Sequence, residues 1–212
     1  LWPVYVGFSE QDRGVAGVSQ QDDCLAAGTK AELSAQMIRC IVAICIFLLA
    51  IPTPANAASA LDAALDAAVE TFEKALPELG ETEFGVDVAA YRNALGLQPF
   101  HSAYWGGTIT LDIERREGAT GSCSSFAAFV VIPPENGTVR LVLCLQFFTP
   151  GADALRELTM LHEMVHVVAG ADECRAMAFA ATVQMAATGA FTSVDAYWRS
   201  SGCEASRYSL PS

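Results

Sequence analysis

The chain is short of positive charge. Twelve Lys and Arg stand against 24 Asp and Glu, for a net charge of −12 over 212 residues. A nucleic-acid partner needs clustered Lys and Arg to replace the counterions of a phosphate backbone, so no nucleic acid is expected here. There is no long run of like charge, no low-complexity tract and no internal repeat, which excludes a charged tail and a repeat array. The apolar run at residues 41 to 51 falls short of the roughly 20 residues that a membrane-spanning helix needs. Histidine is scarce as well, with three in the whole chain.

That apolar run lies in "MIRCIVAICIFLLAIPTPANAASA", which starts at Met37. One positive charge (Arg39) precedes it, and a Pro-containing break and Ala55-Asn56-Ala57 follow. This is the layout of a secretory signal peptide over residues 37–57, cleaved after Ala57. Export to a periplasmic or extracellular space is therefore expected, with no stable membrane span after cleavage; the competing reading is an uncleaved N-terminal anchor. Cys45 lacks a small residue before it, which argues against a lipoprotein anchor. The chain starts with Leu1 and its first methionine is Met37. Residues 1–36 are accordingly expected to be a mis-assigned or disordered extension.

Residues 58–212 would form one domain of ordinary size. They hold Cys123, Cys144, Cys174 and Cys203. An even count in an exported chain predicts two disulfides. The preferred pairs are Cys123–Cys144 across a hairpin and Cys174–Cys203 between C-terminal helices. The first pairing depends on the turn: centred on Pro133-Pro134 it sets the two cysteines opposite each other, and centred on Asn136-Gly137 it does not. Asn136-Gly137-Thr138 also reads as a glycosylation sequon, but a turn is the expected role.

Apolar residues at Leu61, Leu65, Val69, Phe72 and Leu76 follow helical spacing, and Pro77 ends the pattern. "TITLDIE" alternates Ile109, Leu111 and Ile113 with polar residues, which predicts a strand over 108–114. Two further strand-like runs flank the turn-rich centre of residues 124 to 148. From Pro150 onward helix formers dominate. One helix is predicted to end near Gly170, a second at Gly189, and a short third to be capped by Ser193. The expected fold class is α+β: an N-terminal helix, an antiparallel or mixed sheet, and C-terminal helices that carry the site.

The site is read from "LHEMVHVVAGADECRAMAFAA", residues 161 to 181. Residues four apart share a helix face, so His162 and His166 can aim two imidazoles at one metal ion. Glu163 lies about 100° around the helix, placed to take a proton from a metal-activated water rather than to bind the metal. A catalytic zinc takes a third protein ligand and leaves a fourth position open. Gly170 can turn the chain there, and Glu173 is the favoured third ligand. Asp172 is the alternative, though a capping role would occupy its side chain; His101 is a more remote one. Tyr104, Tyr197 and Tyr208 are interchangeable candidates for stabilising an oxyanion. Met177 and Met185 are expected to be core filling rather than the floor of a metal pocket. Nothing in the sequence bears on oligomeric state.

"HEMVH" resembles the HExxH motif of the zincin metallopeptidases. The continuation lies between two subgroups. Gly170 and Glu173 keep the Gly-to-ligand spacing of metzincins, one residue late and with Glu in place of His, while Asp172 occupies the metzincin third-ligand position. "ECRA" is similar to the ExxA element of gluzincins, where Glu is the third ligand. More loosely, the chain resembles small exported bacterial proteins with an HExxH helix. The resemblance covers roughly residues 155 to 185. It implies a zincin-like domain that holds Zn²⁺ and cuts a peptide or protein substrate, with a strand edge, from 108–114 or 139–147, bordering the cleft. The competing expectation is an exported zinc-binding or partner-binding protein that does not catalyse.

Overall fold

The computed structural model describes residues 54 to 212. The N-terminal extension and the apolar segment of the expected signal peptide lie outside these residues. Helix α1 (Pro54–Ala75) spans the expected cleavage point after Ala57. Among the described residues no helix is long and apolar enough to cross a membrane.

The architecture is α+β. After α1 and a 3-10 turn at Leu76–Glu78 come two short strands, β1 (Thr82–Glu83) and β2 (Val86–Asp87), and helix α2 (Val88–Leu95). Phe84 and Gly85 both take positive φ in the two-residue turn between β1 and β2. Asp87 caps α2 through the Ala90 N–H, 2.8 Å away. The main sheet has four strands: β3 (Phe100–Ser102), β4 (Gly107–Arg115), β5 (Ala128–Glu135) and β6 (Thr138–Leu143). Their spatial order is β3-β4-β6-β5, with β4 and β6 parallel and the other pairs antiparallel, so the sheet is mixed. Helices α3 (Asp153–Ala169), α4 (Glu173–Thr188) and α5 (Asp195–Ser200) complete the chain.

The sequence left the hairpin turn open between Pro133-Pro134 and Asn136-Gly137, and two other expectations, the strand over 139–147 and the Ser193 cap, are corrected. The hairpin turns at Asn136-Gly137, both at positive φ, as a tight two-residue connection requires. A side chain at Gly137 would sit 3.0 Å from the Thr108 carbonyl, so glycine suits both the turn and the neighbouring strand. The run over 139–147 is strand only to Leu143 and then coils into a 3-10 turn, Leu145–Phe148. It lies between β4 and β5, so its edges are consumed and it offers none to a substrate. Finally, Ser193 does not cap α5; its hydroxyl bonds the Asp195 carboxylate, and Val194 occupies the cap position.

Both expected disulfides are present, each with Cα atoms 5.3 Å apart. Cys123–Cys144 forms although the turn is at Asn136-Gly137. Pairing shifts between Val131↔Arg140 and Glu135↔Thr138, around Pro133-Pro134, and a 3-10 turn at Gly121–Ser124 folds Cys123 back towards Cys144. Each bridge closes a loop of a few tens of residues, so its removal is expected to cost about 2–5 kcal/mol. Denaturant melts of the Cys123→Ala/Cys144→Ala and Cys174→Ala/Cys203→Ala proteins check this; an unchanged midpoint for both pairs would contradict it.

The core lies where α3 threads between the other elements. Residues 160 to 170 of this segment are all buried, which explains the near-continuous apolar run around the histidines. Ala176 and Ala180 of α4 are fully buried, and their small side chains allow close approach of the helix backbone. Arg156 is buried as well. Its guanidinium donates to the Phe147 and Thr149 carbonyls and pairs with Asp153, which ties the segment after β6 to the start of α3.

Candidate metal centre

A helix leaves its last four carbonyls without intrahelical partners. In α3 each of them is met. The His166 carbonyl accepts from the Gly170 N–H at 3.1 Å. The Val167 carbonyl accepts from the Trp105 indole at 2.8 Å, and that of Val168 from the Ser102 hydroxyl at 3.5 Å. The Ala169 carbonyl accepts from Arg175 at 2.7 Å. One turn earlier, the buried Tyr91 phenol donates to the Leu161 carbonyl at 2.7 Å. The turns bearing the two histidines are thus held from several directions, the rigid support that a precise ligand set requires.

Gly170 has φ 84° and ψ −170°, a conformation available essentially only to glycine. A side chain there would also overlap the Tyr104 phenol. This bend reverses the chain into α4, where Asp172 is the cap: its carboxylate accepts the Arg175 N–H at 3.1 Å. Asp172 is therefore occupied, and Glu173 projects from the first turn.

The structure brings His162, His166 and Glu173 together as a group able to hold a metal ion. His166 Nε2 is 3.0 Å from His162 Nε2. Glu173 Oε2 is 3.1 Å from His162 Nε2 and 3.5 Å from His166 Nε2. The three atoms form a nearly equilateral triangle. His166 Nδ1 lies 2.9 Å from the Gly170 carbonyl, which can only accept. That nitrogen must carry the proton, so in the neutral ring it is the Nε2 lone pair that faces the triangle.

Tyr197 of α5 donates to Glu173 Oε2 at 2.6 Å. Of the three tyrosines the sequence left equivalent, it alone touches the cluster. Tyr208 pairs with Arg175 and Arg207, and Tyr104 stacks edge-on against Trp105. His101 is exposed on β3, opposite in face to the buried Phe100 and Ser102, and is not part of the group. Met177 packs with Trp198 and Cys203 in a small cluster of its own, as core filling. The links made by Tyr197 and by the Gly170 carbonyl were absent from the sequence reading. The second had a signal, because His166 and Gly170 are four apart at a helix end.

Glu163 is buried, and none of the site's hydrogen bonds engages its carboxylate. Burial pushes its pKa above the usual carboxylate range; the two imidazoles pull it back and the Glu173 charge adds to the rise. Burial also opposes ionisation of Glu173, but its bonds to both imidazoles outweigh that and hold its carboxyl well below the usual range. For His166 burial favours the neutral ring, yet the Glu173 contact and the surrounding carboxylates prevail and push it up to about 9.

That shift has a measurable consequence in metal-free protein. A histidine whose pKa rises from 6.5 to about 9 on folding contributes stability that is complete below pH 6.5 and lost as pH rises through 9. Chelator-treated protein is expected to melt at progressively lower temperature across that window. A flat profile in the His166→Gln control and a falling one in the parent assigns the effect to His166.

No protein-family model, curated protein or solved structure matches the chain.

Proposed function

We propose that the chain is an exported, zinc-dependent peptidase with a zincin-like catalytic domain. The carrying observation is the triangle of donor atoms with edges of 3.0, 3.1 and 3.5 Å. A tetrahedral ion with bonds of about 2.0–2.1 Å separates its ligand atoms by roughly 3.3–3.4 Å. Two imidazoles and one carboxylate suit zinc; calcium and magnesium favour oxygen donors. Three protein ligands leave the fourth position to a water or substrate.

His162, His166 and Glu173 would hold the ion, which when bound supplies a Lewis acid that lowers the pKa of water towards neutrality and polarises a carbonyl. Glu163 takes the proton from the attacking water and returns it to the leaving amine. The Gly170 carbonyl holds the His166 tautomer throughout. Two disulfides fit an oxidising compartment, in keeping with export.

One observation favours the second reading, an exported zinc-binding or partner-binding protein without catalysis. The imidazole side chains are only 10% and 7% exposed, which restricts the access of a substrate to them. Metal analysis of the purified chain, together with digestion of a mixed peptide pool, separates the two. Peptidase function requires about one zinc per chain and cleavage that a chelator stops. Zinc uptake without cleavage selects the second reading, and a chain that takes up no zinc ends both the peptidase and the zinc-binding protein.

A further inference from the structure

We propose that Tyr197 is a positioning residue that fixes Glu173 as a ligand, brought to the centre by a C-terminal strap fastened by the Cys174–Cys203 disulfide. The inference rests on the metal-centre reading above, but not on catalysis.

Glu173 Oε2 is the atom that faces both imidazole Nε2 atoms, at 3.1 and 3.5 Å, and it is also the atom that accepts the Tyr197 O–H at 2.6 Å. A carboxylate at a helix start can swing about its χ angles. A donor on the ligating oxygen removes that freedom before any ion arrives. A phenol has one proton, and here it is directed at Glu173 rather than at the space where a substrate oxygen would stand. Tyr197 is therefore not positioned as the oxyanion donor.

The strap explains how a six-residue helix delivers that phenol. Helix α5 has no side-chain cap and is too short to persist alone. It is held from outside by Trp198, which is 9% exposed and packs with Met177 and Ala178 of α4. It is held again by Cys203 just beyond it, bonded to Cys174. Further on, Arg175 reaches the Tyr208 hydroxyl at 3.1 Å. Cys174 is next in sequence to Glu173, so the covalent anchor of the strap and the hydrogen bond it serves act on adjacent residues of α4.

The test measures Zn²⁺ affinity of the full chain by competition with a chromophoric chelator. Tyr197→Phe is expected to weaken Zn²⁺ binding about 10–100-fold, the usual cost of removing a partner of a metal ligand. The metal-free variant should still fold and unfold cooperatively. Cys174→Ala/Cys203→Ala should also weaken binding, and adding Tyr197→Phe to it should cost less than in the parent. Both cysteines are replaced because a lone thiol beside Glu173 could itself ligate zinc. Cys123→Ala/Cys144→Ala, far from the strap in sequence, should leave affinity unchanged. Unaltered affinity in Tyr197→Phe overturns the proposal, whether or not kcat falls; a fall in kcat alone would restore the oxyanion role. Loss of affinity accompanied by loss of the metal-free fold also overturns it. A parent chain that binds no zinc overturns the metal-centre reading and this inference together, whereas zinc uptake without hydrolysis leaves this inference standing and removes only the peptidase.

Discussion

Glu163→Gln is expected to lower kcat/KM for peptide hydrolysis by about 10²–10⁴-fold while zinc stays near one per chain. The amide matches the carboxylate in shape, so packing in α3 should persist. What it lacks is a proton acceptor. Glu163 is buried directly after His162, and none of the site's hydrogen bonds engages its carboxylate. Glu173, the other carboxylate of the site, faces both imidazoles and accepts from Tyr197, which occupies the oxygen it would need. Metal content and rate must be measured on the same sample. A rate within tenfold of the parent at full zinc occupancy sinks the general-base role. Equal loss of zinc and activity would instead make Glu163 part of the metal-binding set.

Alanine at His162, His166 or Glu173 is expected to weaken Zn²⁺ binding on the order of 10²–10³-fold each. Structural zinc sites bind with roughly 10–16 kcal/mol, and an even share among four ligands is about 2.5–4 kcal/mol. The effect should exceed that of Tyr197→Phe, because a bond to the ion is lost rather than the support of one. Asp172 and His101 make the contrast. Asp172→Ala should keep its zinc and lose only a helix cap, about 1 kcal/mol of stability. His101→Ala should change neither, since His101 is exposed on β3 outside the cluster. Equilibrium dialysis with metal analysis reads all five. Zinc retained by Glu173→Ala and lost by Asp172→Ala would reverse the ligand assignment.

Much of the site was legible because it is local. The spacing of His162 and His166 is set by helix pitch, and Glu173 follows only 11 residues after His162, across one glycine bend. Cap chemistry decided between Asp172 and Glu173, since a cap binds backbone N–H groups within its own first turn. The long periodic helices and strands β4, β5 and β6 were legible for the same reason. Strands β1, β2 and β3, with two or three residues each, carry too few positions to show a period. Helix α2 is short and rests on a side-chain cap from Asp87 that its residues do not advertise. The Cys123–Cys144 pairing was expected, but by a route that differs from the real one: the bend lies at Asn136-Gly137, and the offset is absorbed around Pro133-Pro134.

Taken alone, the amino-acid order determined the helix pair, the two imidazoles and the carboxylate beyond the bend, because each is governed by interactions reaching no further than a turn or two along the chain. Folding decided the rest. The indole of Trp105 caps a carbonyl 62 residues away, and Tyr197 reaches Glu173 across 24. The order β3-β4-β6-β5 places one strand of the hairpin inside the sheet and the other at its edge. Such contacts are chosen by how apolar faces bury against one another, and that choice is made by the whole chain at once.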